Sequence, residues 1–243
     1  MRRLIATPLL IVALLPGPAT AAIGNTDECK AALAADPGKA REDAAVWERE
    51  GGGVPARLCS AAALAALGAH ATAAQMLTAV AENPNRAMST TLRAAVLGDA
   101  ADQWLAAGEP HLARAVLAQA DALTPPDAPR QVLAARAAAA EADWPAAETA
   151  LRAALVTAPD DALAHALLAA ALRNQGDPAA ALPEADRAAA LAPDLPEALF
   201  EQGAARAETG DTTGAAAAWL ALIDRHPESG LAGPARRNLQ RLP

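Results

Sequence analysis

Tyrosine is absent from this 243-residue chain, phenylalanine occurs once, and four tryptophans complete the aromatic set. A core built on large rings is therefore excluded. No segment alternates valine, isoleucine, threonine and aromatics over several residues, so strands are not expected either. Lysine is almost missing, with Lys30 and Lys39 alone, and arginine supplies the other cations. The formal charge is −8 at neutral pH, and no basic stripe is present. Nucleic acid needs cations to neutralise phosphate, so a nucleic-acid partner is excluded, as is docking on an anionic membrane surface. The chain has instead an abundance of alanine and leucine, which suits close helix–helix packing. The fold class expected is all-α.

The first residues read Met1-Arg2-Arg3, then an apolar segment from Leu4 to Leu15, then Ala19-Thr20-Ala21. A positive start, a short apolar segment and a small-x-small site are the parts of a secretory signal peptide. Residues 1–21 are read as that signal, cleaved after Ala21 or Ala22, with an uncleaved anchor as the alternative. The apolar segment is too short to span a bilayer by itself, and no other segment is a membrane-insertion candidate. The expected location is periplasmic or secreted. In such an oxidising compartment the isolated pair Cys29 and Cys59 reads as a disulfide, with free buried thiols as the alternative.

A period dominates the rest. Pro125, Pro159, Pro193 and Pro227 recur every 34 residues. Gly108, Gly176 and Gly210 keep the same step, with Ala142 filling the gap, and so do Ala113, Ala147, Ala181 and Ala215. Ala120, Ala154 and Ala188 form a further column, continued by Leu222. Each column has a physical task. The glycine closes one helix through a left-handed backbone. The acidic residue after it (Glu109, Asp143, Asp177, Asp211) is placed to cap the next helix. Pro110, Pro145 and Pro178 fall in that helix's first turn, where a missing N–H costs nothing. The alanine columns, seven residues apart, lie on one helix face and let neighbours approach closely.

This pattern resembles the tetratricopeptide-repeat family, whose unit is a 34-residue helix–turn–helix with small residues at set positions and a proline near its end. The resemblance implies an α-solenoid, a right-handed superhelix, with repeats at 94–127, 128–161, 162–195 and 196–229. The small position of the first helix carries Ala101, Ala135, Ala169 and Gly203. The family's bulky positions are weaker: Leu97, Gln131, His165 and Leu199 stand where it prefers tryptophan, and Leu117, Leu151, Ala185 and Trp219 where it prefers phenylalanine. Residues 54–93 read as a degenerate repeat with extra residues, in which Gly68 takes the turn and Pro84 lies one residue early. Ser89 is placed to cap a lengthened helix there. Upstream, 22–53 reads as an N-terminal helical cap holding two short helices. Residues 230–243 read as an amphipathic C-terminal capping helix.

The family's first helices line a concave groove. Carried onto this chain, the inward positions are Val132, Arg136, Ala166, Ala170, Arg173, Asn174, Phe200, Ala204 and Glu208, with Asp102 and Leu105 before them. The surface implied is mostly apolar with a positive spot at Arg136 and Arg173, suited to a segment bearing an acidic or amide-rich patch. The plainer reading pairs those arginines with nearby carboxylates. No catalytic constellation shows. His70, His111, His165 and His226 never fall at metal-ligand spacing, the three serines lie in no nucleophile elbow, and no phosphate loop or cofactor site is indicated. The expected function is non-enzymatic: an exported adaptor or scaffold that holds a protein or peptide partner. A self-associating structural subunit is the alternative, and a cell-wall hydrolase, which would need paired carboxylates or a metal in a cleft, comes last.

Overall fold

The structure, a computed structural model, describes residues 23–83 and 88–243. The segment read as a signal peptide, both candidate cleavage sites and Pro84 lie outside the described residues. No strand occurs among the described residues, and no helix there is long and apolar enough to cross a membrane. The all-α expectation holds.

The described residues begin with a three-helix unit. Helix α1 (Thr26–Ala35) starts at Asn25, whose side chain accepts hydrogen bonds from the Asp27 and Glu28 amides. Helix α2 (Pro37–Trp47) starts at Asp36, whose carboxylate accepts from the Lys39 amide, with Pro37 in the first turn. These caps fix the first turns of both helices. A π-type turn over Glu48–Gly52 then leads into α3 (Gly53–Ala66). Cys29 on α1 and Cys59 on α3 are joined by a disulfide, with Cα atoms 6.0 Å apart. The bridge is buried with Ile23, Ala40, Ala44 and Ala63, so α1 and α2 are held on α3 both covalently and by packing.

Ten helices then follow α3, completing a series of antiparallel pairs and a cap. The first helices of the pairs are α3, α5 (Thr90–Ala106), α7 (Ala128–Ala140), α9 (Ala162–Asn174) and α11 (Pro196–Glu208). The second helices are α4 (His70–Glu82), α6 (Pro110–Leu123), α8 (Trp144–Thr157), α10 (Pro178–Leu191) and α12 (Thr212–Arg225), and α13 (Ala232–Leu239) closes the array. From α6 onward each second helix begins 34 residues after the last, and so does each first helix from α7. The helix-closing turn explains the step. Gly108, Gly176 and Gly210 stand at positive φ, and Ala142 adopts the same conformation at φ 58° with no glycine to ease it. Asp143, Asp177 and Asp211 then cap the second helices through their side chains. Glu109 does not. Its longer side chain instead approaches His111 at 3.5 Å. Ser89 caps α5, accepting from the Leu92 amide at 3.1 Å.

The alanine columns are where the helices meet. Ala113, Ala147, Ala181 and Ala215 are at most 1% exposed, and Ala120, Ala154, Ala188 and Leu222 are fully buried. Side chains this small let backbones approach, which is how a chain so poor in aromatics still closes its core. Two charged features absent from the sequence reading hold the turns between repeats. Asp127 and Asp161 cap α7 and α9. Arg130, 5% exposed, donates to Asp121 at 2.8 Å, to Asp127 at 3.3 Å and to the Thr124 and Pro125 carbonyls. It ties the end of α6 to the start of α7.

Candidate binding groove

From α5 onward consecutive first helices touch directly, α5 with α7, α7 with α9 and α9 with α11, and no comparable contact joins one second helix to the next. The layer of first helices is therefore the tighter one, and the array curves toward it. Among the described residues, clefts open on that inner face at three places. The first, about 290 Å³, lies between α3, α4 and α5, with Leu58, Ala62, Ala65 and Leu77 against Asp99, Asp102 and Gln103. The second, about 490 Å³, runs between α5, α7 and α9 and is lined by Ala95, Val132, Leu133 and Leu163 together with Asp99 and Asp102. The third, about 610 Å³, lies between α11 and the C-terminal residues. The first two adjoin across α5, whose Asp99 and Asp102 line both, and together they are called the trough.

The nine groove positions expected from the sequence are not brought to one place. Arg173, Phe200, Ala204 and Glu208 line the C-terminal cleft, where Asn238, Arg241, Leu242 and Pro243 face them. Phe200 is there partly covered, because it, Leu239 and Leu242 pack on the same buried cluster around Trp219. Val132 lies in the middle cleft. Ala166 is fully buried and packs with Ala188 and Ala198, so it belongs to the interior. Asn174 donates back to the Ala170 carbonyl of its own helix at 2.8 Å.

The positive spot is cancelled by pairing. Arg136 donates to Asp102 on the preceding first helix at 2.8 Å. Arg173 donates through Nε to Glu201 at 3.1 Å and through Nη1 to Glu208 at 3.0 Å. Burial works against the Arg173 charge, but Glu201 and Glu208 outweigh it and hold its pKa up. Burial raises the pKa of Glu201, with Arg173 opposing and Glu208 adding. Removing the Arg173 cation would leave Glu201 unpaired at 8% exposure, a loss of about 3 kcal/mol.

Asp99 is the residue that sequence reasoning missed. Among the described residues it has no hydrogen bond or ion pair, and its carboxylate reaches solvent inside the trough. The surrounding walls still desolvate it, and this raises its pKa, with Asp102 one helical turn on adding repulsion. Its open exposure limits that effect. The sequence holds one cue, two aspartates three residues apart on an apolar helix. No group of three or more potential ligands that could hold a metal ion occurs among the described residues.

Solved structures share this arrangement. One chain of the Cut9–Hcn1 hetero-tetramer of the APC/C superposes with a TM-score of 0.70 at 16% identity, over 90% of this chain and 43% of that one. The fold is that of a tetratricopeptide-repeat solenoid. A thermophilic tetratricopeptide-repeat (TPR) protein of Thermus thermophilus matches at a TM-score of 0.58 and 19% identity, over 76% of this chain and 95% of its own. The TPR protein YrrB, described as having an unusual peptide-binding site, matches at 0.54 and 17%, over 79% of this chain and 96% of its own. This chain thus spans less than half of the Cut9–Hcn1 chain and nearly all of the two smaller TPR proteins. No family model matches the chain, and no curated protein matches it.

Proposed function

We propose that this chain is an exported adaptor that holds a segment of a partner protein along the inner face of its first helices. The observation that carries the reading is the trough from α3 to α9, concave, lined by alanine, valine and leucine side chains interspersed with aspartates, and free of any covering element among the described residues. Such a surface accepts an extended or helical segment by side-chain insertion. YrrB, of the same fold, is described as having a peptide-binding site, which supports a binding role and not a catalytic one. The export part rests on the N-terminal sequence, Met1-Arg2-Arg3 with the apolar segment to Leu15 and Ala19-Thr20-Ala21.

Affinity capture from envelope extract tests this. Charge reversal at Arg173 is a poor control, because it unpairs Glu201. Ala62 and Ala95 are better positions: both are exposed and both line the trough. A partner captured by the native chain and lost by Ala62→Trp/Ala95→Trp supports the groove. Capture unaffected by the bulky pair moves the binding face elsewhere. N-terminal sequencing of chain recovered outside the cytoplasm tests export, with a start at Ala22 or Ile23 expected.

A further inference from the structure

We infer that the trough between α3, α5, α7 and α9 takes an apolar segment carrying a lysine or arginine, and that this cation is received by Asp99 with Asp102. The inference rests on the groove reading above and names the chemistry of its occupant. It reverses the acidic or amide-rich partner expected from the sequence, because the arginines behind that expectation are already engaged.

The argument is one of charge and placement. The charged side chains lining the middle cleft are Asp99, Asp102, Asp127 and Asp161 against the single Arg130. Arg130 points away, into the α6–α7 turn, where Asp121 and two backbone carbonyls hold it. Arg136, the other cation of this region, bonds to Asp102 through one carboxylate oxygen, Oδ1. Asp127 and Asp161 are occupied by the amides they cap. Asp99 has no such partner among the described residues, yet it lines both adjoining clefts, which Leu58, Ala62, Val132 and Leu163 also line. A carboxylate kept there in ionised form opposes folding, as the upward shift of its pKa records. A cation brought by a ligand would relieve that cost and gain a charge-assisted hydrogen bond. An acidic segment would meet Asp99 and the capping carboxylates of Asp127 and Asp161 along the same wall. Apolar neighbours on the ligand would fill the space beside Leu58, Ala62, Val132 and Leu163.

The test uses the 243-residue chain and a peptide array in which one leucine- and alanine-rich scaffold carries Lys, Gln or Glu at each position in turn. Binding is measured by fluorescence anisotropy at low and at raised salt, with Asp99→Asn and Ala95→Trp alongside the native chain. The expected result is preference for Lys over Gln and Gln over Glu, weakening with salt. Asp99→Asn should lose about tenfold in affinity for the Lys peptides and little for the Gln peptides. Preference for Glu, or affinity unchanged by Asp99→Asn, overturns the assignment. Charge-blind binding that Ala95→Trp abolishes leaves the groove standing and removes only the cation site. No binding by any peptide, or binding indifferent to Ala95→Trp, removes the groove reading as well.

Discussion

Four positions in four repeats show how one volume is divided between neighbouring side chains. Ala101 shares a buried cluster with Leu117, Ala135 with Leu151 and Ala169 with Ala185, while Gly203 abuts Trp219. Only the last pair goes to extremes. A methyl group added at Gly203 would collide with the Trp219 indole, whose Nε1 donates to the Phe200 carbonyl at 3.1 Å. Gly203→Ala should therefore destabilise the chain by about 1–3 kcal/mol. In Trp219→Leu, a side chain like those of Leu117 and Leu151, the same glycine change should cost much less. Urea unfolding of the double-mutant cycle reads this coupling. Ala142 presents the opposite case, an alanine held at a φ where alanine is strained. Ala142→Gly should raise stability by about 0.5–1 kcal/mol, seen as a higher urea midpoint with an unchanged slope. Asp99 gives a pH-dependent prediction. Its folded pKa is raised, so the stability it contributes is full below its unfolded pKa and lost as pH rises through the folded one. Asp99→Asn should therefore melt higher than the native chain at pH 7, with the difference vanishing below the ordinary carboxylate range.

At the scale of the helix pair, what was legible in the sequence followed from backbone chemistry. Glycine columns, acidic caps and first-turn prolines are local devices, and a 34-residue recurrence exposes them without knowledge of what lies across the interface. The Asp143, Asp177 and Asp211 caps and the Ser89 cap formed for that reason. The groove was less legible because it is made between elements. Whether Arg173 offers a free cation depends on Glu201 and Glu208, which sit on another helix. Whether Ala166 faces a ligand or the interior depends on Ala188 and Ala198. Arg130, in the first turn of α7, carries no signal of its own in the sequence, because its acceptors are carbonyls of the preceding turn that only the fold brings to it. The N-terminal unit gives a further prediction. Replacing Cys29 and Cys59 by alanine should lower stability by about 3–4 kcal/mol in the chain-entropy account. Denaturation of the native chain with and without reductant, beside the double variant, measures it, and equal midpoints would mean the bridge constrains nothing.

At the largest scale the described residues form a row of units in which each pair of helices touches mainly its neighbours. Energetics of that kind are nearly one-dimensional: a unit is as firm as its own packing and its two interfaces. The two ends of the row are finished differently. At one end three helices are locked by a covalent bridge around a buried cluster. At the other stands α13, eight residues long, held through Ala235, Leu239 and Leu242. Opening should therefore have a direction, running inward from the C-terminal side like a zipper whose far stop is welded. Native-state hydrogen exchange should show protection rising from α13 and α12 toward the N-terminal units, and cutting the bridge should flatten that gradient.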